Sequence, residues 1–385
     1  MKKNILIGMA LALILGLNGC GSDTKKTPIS GGNEINETND TTETNETSQN
    51  SNTFSVVTFD ATDASKSSKF NLSSGKTVED DSWHFSYQKY IGFAVNGGTS
   101  GSGDVSACIG YEYASLFDAE GKAVQSEFEK LTAKNTKSTF ESVKKDDCNT
   151  TQFKTDTITT QIKTSDWLDA DYSQGAPVFS AKTDSNNSWI IRSSDSTTYA
   201  RVKVKTLEVI FGANTTRKVV LASEKWNGTS FDTPLDSPAL DYSADDKIYW
   251  DLETNDIVTE TDAWELAISV VGRDYPIQVN GGASGRGKAG VGLVLNGDAT
   301  SVTDPSDTAQ VYKYFGDSAK GTMSKPGGYG ALEYSVASQH KMWPTFAVYI
   351  YKKGDVYYKA QVLSNYGSDG ALGSGNITVR YEKFK

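Results

Sequence analysis

The sequence predicts an all-β protein made of two tandem, mainly antiparallel modules with few short helices. Three observations carry that expectation. The first is repetition. Asn96-Gly97-Gly98-Thr99-Ser100-Gly101-Ser102-Gly103 returns as Asn280-Gly281-Gly282-Ala283-Ser284-Gly285-Arg286-Gly287, each copy preceded by a Trp-led alternating segment at 83–87 or 264–268. Residues 71–78 answer to 251–258, and 199–204 answer to 357–362. Four blocks in one order, about 180 residues apart, are too widely spaced for a solenoid unit and suit a duplicated domain. The second is composition: Thr, Ser, Val and Tyr are plentiful, aromatics reach 11% and only 8 prolines occur among 385 residues, which favours strands. The third is period-two patterning in short runs bounded by turn residues.

The chain opens with Lys2 and Lys3, an apolar run over residues 5–15, and Leu17-Asn18-Gly19-Cys20. Residues 1–19 read as a secretory signal; the run is short for a bilayer span. The last four of these residues resemble a bacterial lipobox, which implies cleavage before Cys20, lipidation of Cys20 and an outer-membrane address. Residues 20–52 repeat Asn, Thr and Glu without an aromatic. Such a stretch buries too little apolar surface to fold, and as a tether it reaches roughly 30 Å.

The first module is expected over residues 53–228. Residues 54–59 read as a strand, a turn falls at Ser74-Gly75, and residues 83–95 make one or two strands. Residues 120–131 are the one fair helix of this half. Residues 189–192, 199–210 and 218–226 are further antiparallel strands, and 227–244, with Pro234 and Pro238, is the connection. The second module, 243–385, opens on a strand at 247–252. Residues 346–351 and 356–364 form a hairpin through Lys352-Lys353-Gly354-Asp355, and 375–384 closes the fold.

Cys108 and Cys148 remain after Cys20, and two thiols in an exported chain read as a disulfide. A metal site would need ligands that neither has nearby. The net charge of −10 argues against a nucleic-acid partner, which needs a basic face.

Residues 282–288 match the spacing of a phosphate-binding loop, and 285–290 match G-x-G-x-x-G. Ala289 stands where Ser or Thr must hold magnesium, and residues 291–295 look like a strand where a helix is required. A bulged β connection is the better reading. With two histidines, a Ser-His-Asp triad or a histidine-rich metal site has little room, and no carboxylate pair stands out. The chain reads as a non-enzyme. His84 is expected on the solvent face of its strand. His340, within Tyr334-Ser335-Val336-Ala337-Ser338-Gln339-His340-Lys341-Met342-Trp343, could be an axial ligand of haem iron among aromatic rings. On residues alone, a plain surface or packed histidine is the simpler reading.

The ordered set Asp251-Leu252-Glu253-Thr254, Trp264, residues 280–285, Tyr357-Tyr358-Lys359 and Gly375-Asn376-Ile377-Thr378 resembles the HmuY family of haem-binding lipoproteins. The resemblance implies an all-β fold, haem capture at the cell surface and hand-over to a TonB-dependent outer-membrane receptor. It implies two axial side chains late in the module. His340 falls in a matching place, with Met323 and, behind it, Tyr314 as candidates for the second. The first module has no histidine in its equivalent region, 174–187. The alternative is an interaction lipoprotein that has lost haem and contacts a receptor, glycan or partner protein.

Overall fold

A computed structural model describes residues 54–173, 177–213, 215–244 and 247–385. The expected signal peptide, the Cys20 lipidation site and the whole of the tether lie outside the described residues. The first strands are β1 (Ser55–Asp60), β2 (Ser68–Asn71), β3 (Lys76–Val78), β4 (Phe85–Gln88), β5 (Gly92–Val95) and β6 (Val105–Tyr111). After the short helices α1 (Gln125–Phe128) and α2 (Lys137–Ser142) comes β7 (Thr157–Thr159). Helix α3 (Thr164–Trp167) leads to β8 (Leu168–Asp171), β9 (Val178–Ala181), β10 (Trp189–Arg192), β11 (Tyr199–Ile210) and β12 (Thr216–Lys225). Next are β13 (Leu235–Asp236), β14 (Leu240–Asp241), β15 (Lys247–Trp250), β16 (Ile257–Val258), β17 (Leu266–Ser269) and β18 (Ile277–Val279). The chain continues through β19 (Gly290–Val294), β20 (Val311–Phe315), β21 (Ser318–Lys320), β22 (Leu332–Tyr334) and β23 (Met342–Pro344). It ends with β24 (Val348–Lys353), β25 (Val356–Ser364) and β26 (Asn376–Lys383).

The fold is mainly antiparallel β, as the composition predicts. Alternation does the work in β11, where Ala200, Val202 and Val204 are buried while Lys203 and Lys205 face solvent. The helix expected over 120–131 shrinks to the single turn of α1. Its apolar positions do not repeat at helical spacing, and only Phe128 is buried. The 352–355 loop tightens to Gly354-Asp355, because Lys353 pairs with Val356 and Gly354 takes the left-handed conformation a two-residue hairpin needs. The 227–244 connection is partly sheet, with β13 and β14 both pairing with β12.

Two sandwiches result. In the first, a sheet ordered β1-β26-β25-β24-β6 packs on a sheet ordered β3-β2-β4-β5. Phe59, Phe70, Phe85, Tyr349 and Tyr351 fill the space between them, with Phe59 stacked on Phe70 at 5.1 Å. In the second, β13 and β14 flank β12, followed by β11, β10, β19 and β20; the facing sheet runs β16-β15-β17-β18. Trp167, Trp250, Leu266 and Ile277 are buried there. The two strand orders correspond position for position, except that β20 has no counterpart strand.

The sandwiches do not follow the 53–228 and 243–385 boundaries. The first joins β1–β6 to β22–β26, and the second joins β8–β12 to β13–β20. The chain crosses between them twice, in β7 and β21, and those two segments pair antiparallel about Ile158 and Ala319.

The repeated glycine loop has a packing cause. Gly98 and Gly282 take positive φ of 66° and 65° and lie against the backbone carbonyls of Asp156 and Asp317, where a Cβ would collide. Buried carboxylates then clamp each loop. Asp156 accepts from the Val95 amide at 3.0 Å, and Asp317 accepts from the Val279 amide at 3.0 Å and the Ser284 hydroxyl at 2.6 Å. Asn96 and Asn280 close the far ends by accepting from the Gly103 and Gly287 amides. The loop runs into β19, a strand, so the phosphate-loop reading fails for the reason expected.

A cation completes each sandwich, buried in the first and half-buried in the second. Lys359 Nζ donates to the carbonyls of Phe140 at 2.8 Å and Val143 at 3.1 Å and pairs with Glu382 at 3.3 Å. At the matching place Arg201 donates to the carbonyls of Ala299 and Val302, both at 2.9 Å, and pairs with Glu224. The Tyr-x-Lys element therefore satisfies loop carbonyls that burial would otherwise leave without donors. The Cys108–Cys148 disulfide forms and ties β6 to the segment after α2 across 40 residues; by loop entropy such a bridge contributes about 4 kcal/mol.

Two predictions arise. Nicking the backbone at an engineered protease site beside Gly228 leaves fragments 53–228 and 229–385 together in native size-exclusion chromatography, since each sandwich takes strands from both; separate elution would contradict the strand pairing. Gly98→Ala lowers stability by about 2–4 kcal/mol in urea denaturation, through positive φ and collision with the Asp156 carbonyl, whereas Gly121→Ala, with open space around it, costs about 1 kcal/mol.

Candidate functional site

His340 lies in the loop of the β22–β23 hairpin, where Tyr334 pairs with Met342. The loop folds back on itself: the Ser335 amide donates to the Lys341 carbonyl at 2.7 Å, and Ser335, Ser338 and His340 all take positive φ. Three non-glycine residues in that region mark a loop held by its surroundings. The His340 ring is exposed and its Nδ1 lies 3.0 Å from the Tyr334 hydroxyl. The tautomer decides the direction of that bond: when Nδ1–H donates to the tyrosine oxygen, Nε2 carries the lone pair.

The surroundings are aromatic. Tyr329 lies 6.5 Å from Tyr334, centroid to centroid, and its backbone backs onto Gly92 at the tip of the β4–β5 hairpin. That tip exposes Tyr90 at 73% and Ile91 at 68%. Tyr87, beneath it, is buried beside Tyr366, Tyr329 and Tyr90, and burial pushes its hydroxyl well above the usual tyrosine range. The Tyr366 hydroxyl accepts from the Met342 amide at 3.0 Å. His340 thus stands beside a tyrosine-rich surface drawn from two hairpins far apart in sequence.

The structure does not bring the expected second ligands to His340. Met323 is buried in the first core, where its sulfur accepts from the Tyr351 hydroxyl at 3.1 Å. Tyr314 belongs to the second sandwich; its hydroxyl donates to the Pro305 carbonyl at 2.6 Å and its ring packs on Tyr199 at 5.3 Å. Both are engaged in packing, which spacing along the chain could not reveal. In the second sandwich the hairpin matching β22–β23 is β8–β9; its loop has Tyr172 exposed and no histidine.

His84 corrects the surface expectation. It is 4% exposed, its Nδ1 accepts from the Leu72 amide at 3.3 Å, and its ring meets Tyr358 edge-on at 4.8 Å. Burial, aided by Lys353, holds its pKa down to about 4, so the ring is neutral. Alternation had placed it opposite the core face of β4, but it precedes that strand and turns inward as a cap. Glu265 takes its place in the second sandwich, accepting from the Leu252 amide at 2.7 Å and the Ser194 amide at 2.9 Å. Glu265, Asp251 and Glu253 gather their oxygens within 4.8 Å. Asp251 caps the Glu253 and Thr254 amides as Asn71 caps Ser73 and Ser74. Asp251 and Glu265 are committed to backbone amides, while the exposed Glu253 carboxyl meets Glu265. Burial and the neighbouring Glu265 push Glu253 up to about 7.

A family model described as HmuY protein matches residues 63–219. A HmuY-family domain covers that stretch. No curated protein matches the chain. The HmuY stretch holds β2–β6 of the first sandwich together with β8–β11 of the second, so its strands lie in both. His340 lies outside it, on the hairpin that packs against the HmuY stretch at Gly92.

The two perturbed groups set opposite limbs of a stability profile. His84 binds fewer protons folded than unfolded between about pH 4 and its ordinary value of 6.5, so stability falls as pH drops through that window. Glu253 binds more protons folded than unfolded between 4.5 and about 7, so its contribution falls as pH rises. His84→Gln flattens the acid limb, and Glu253→Gln raises stability at pH 8 relative to pH 5. Urea midpoints across pH 4–8 read both, and unchanged profiles would refute the assignments.

Proposed function

We propose that this chain is a non-enzymatic haem-handling lipoprotein that carries haem at the tyrosine-rich surface around His340. The observation that carries the reading is an exposed imidazole whose Nδ1 is hydrogen-bonded to Tyr334, a ring that itself neighbours Tyr329. The HmuY-family domain over 63–219 supports a haem-handling role, and no catalytic constellation occurs among the described residues. Haem as cargo supplies an iron that takes an imidazole and an apolar ring that packs on aromatic faces. His340 would hold the iron, and the Tyr334 hydroxyl on its other ring nitrogen would fix its tautomer and orientation. Met342, two residues on, packs against the first core, and the other histidine, His84, is buried against Tyr358, so the reading has one protein ligand.

The wider reading has the acylated Cys20 anchoring the chain at the outer membrane, with haem passed to a TonB-dependent receptor. No helix among the described residues is long and apolar enough to cross a membrane. The matched strand orders and repeated blocks further support a tandem duplication in which the copies have exchanged their C-terminal halves. A second reading, an interaction lipoprotein without haem, is favoured by the internal engagement of Met323 and Tyr314; the exposed Tyr90 and Ile91 would then meet a protein or glycan.

Hemin titration separates the two. The haem reading expects saturable one-to-one binding with a Soret shift typical of a single protein imidazole. His340→Ala abolishes it, and Tyr334→Phe weakens it about tenfold. A titration without a shift, or one unaffected by His340→Ala, removes the haem reading and leaves the interaction reading.

A further inference from the structure

The paired crossings β7 and β21 are flanked by two grooves, which share Thr157 in their linings. The first, about 630 Å³, is lined by Thr159, Thr160, Lys163, Thr164 and Asp274 among others. The second, about 440 Å³, is lined by Lys154, Lys320, Lys325, Thr155, Thr157 and Thr322, with Cys108 and Ile109 at one side. No Asp or Glu lines the second groove, although acids outnumber bases 48 to 38 in the chain. Among the described residues none of its three ammonium groups pairs with a carboxylate. All three lysines are exposed.

The fold does not require these charges. Lys154 bridges to Ala107 as Phe315 pairs with Val291 in the other sandwich. Lys320 ends β21 as Thr159 ends β7. The equivalent backbone positions of the second sandwich hold Phe315 and Thr159, so packing and strand pairing do not explain Lys154 and Lys320. Like charges around one concavity repel unless an anion sits between them, and a groove of this size matches a small-molecule site.

We propose that the groove lined by Lys154, Lys320 and Lys325 binds a small polyanion bearing two or more carboxylate or phosphate groups, with the Thr155 and Thr157 hydroxyls beside it. The ammonium groups supply point charges to the anionic oxygens. Its apolar side at Ile109 and the disulfide takes a carbon skeleton. The site is separate from the His340 surface and does not depend on the haem reading.

Isothermal titration of the folded protein with citrate, with pyrophosphate and with uncharged trehalose tests it. One-to-one binding of citrate or pyrophosphate is expected, with none for trehalose. Citrate alone binding assigns a carboxylate ligand, pyrophosphate alone a phosphate ligand, and both outcomes support the site. Replacing Lys154→Gln, Lys320→Gln and Lys325→Gln together weakens binding at least tenfold, while Lys122→Gln, Lys134→Gln and Lys203→Gln together, at exposed lysines outside the groove, leave it within twofold. Both triple variants should keep the wild-type melting temperature within a few degrees, and about 0.5 M salt should weaken the wild-type complex. No saturable binding of either anion, or an equal loss in the control triple, overturns the proposal.

Discussion

Neither sandwich can close its larger sheet with neighbouring sequence alone. In the first, β1 needs β26, and Thr58 meets Thr378 hydroxyl to hydroxyl at 2.8 Å across 320 residues. In the second, β19 lies beside β10 and the chain between them forms most of the opposite sheet. The β7–β21 ribbon makes this compatible with one connected chain, since both crossings occur at one place and satisfy each other's backbone groups. The glycine loops sit next to that ribbon, clamped by Asp156 and Asp317, which immediately precede the crossing strands. A disturbance there reaches both cores.

The same placement organises the candidate surface. Tyr90 and Ile91 come from a hairpin within the HmuY stretch, while Tyr329, Tyr334 and His340 come from the segment that returns after the second crossing. Their meeting follows from the first sandwich being built from both ends of the described chain. A chain folded along its sequence boundaries would set the β4–β5 tip against the β8–β9 loop, which has Tyr172 and no imidazole. The position of His340 next to the HmuY stretch therefore depends on which half completes which sandwich.

Much of the architecture could be read from residues. The strands at 189–192, 199–210 and 356–364 stand where the sequence puts them; burial alternates through the first half of 199–210, while 189–192 and the middle of 356–364 are buried on both faces. The glycine loops and the disulfide were also visible, each through residue types with few other uses. Pairing between distant strands was not, since alternation fixes a face but not a partner. The equivalence of Lys359 and Arg201 was hidden by the change of residue type, though each lies two residues after an aromatic and pairs with a Glu. His84 misled because a buried neutral imidazole has the same neighbours in sequence as a surface one. For Met323, Ile162 offers the missing hint: it is the buried residue at the corresponding place after the other crossing, a position the fold reserves for core packing.

The long pairing of β1 with β26 has a consequence for how such a chain matures. Residues 160–317 contain nearly every strand of the second sandwich, so that sandwich can assemble while the rest is still being delivered. The first must wait, its opening strand unpartnered, until the last ten residues arrive. Pairings this remote in sequence fold slowly, and an unpaired strand is an invitation to stick to other chains. A protein arranged this way spends its riskiest interval with one half finished and the other held open, and it would profit from a chaperone that covers β1 until the C-terminus emerges.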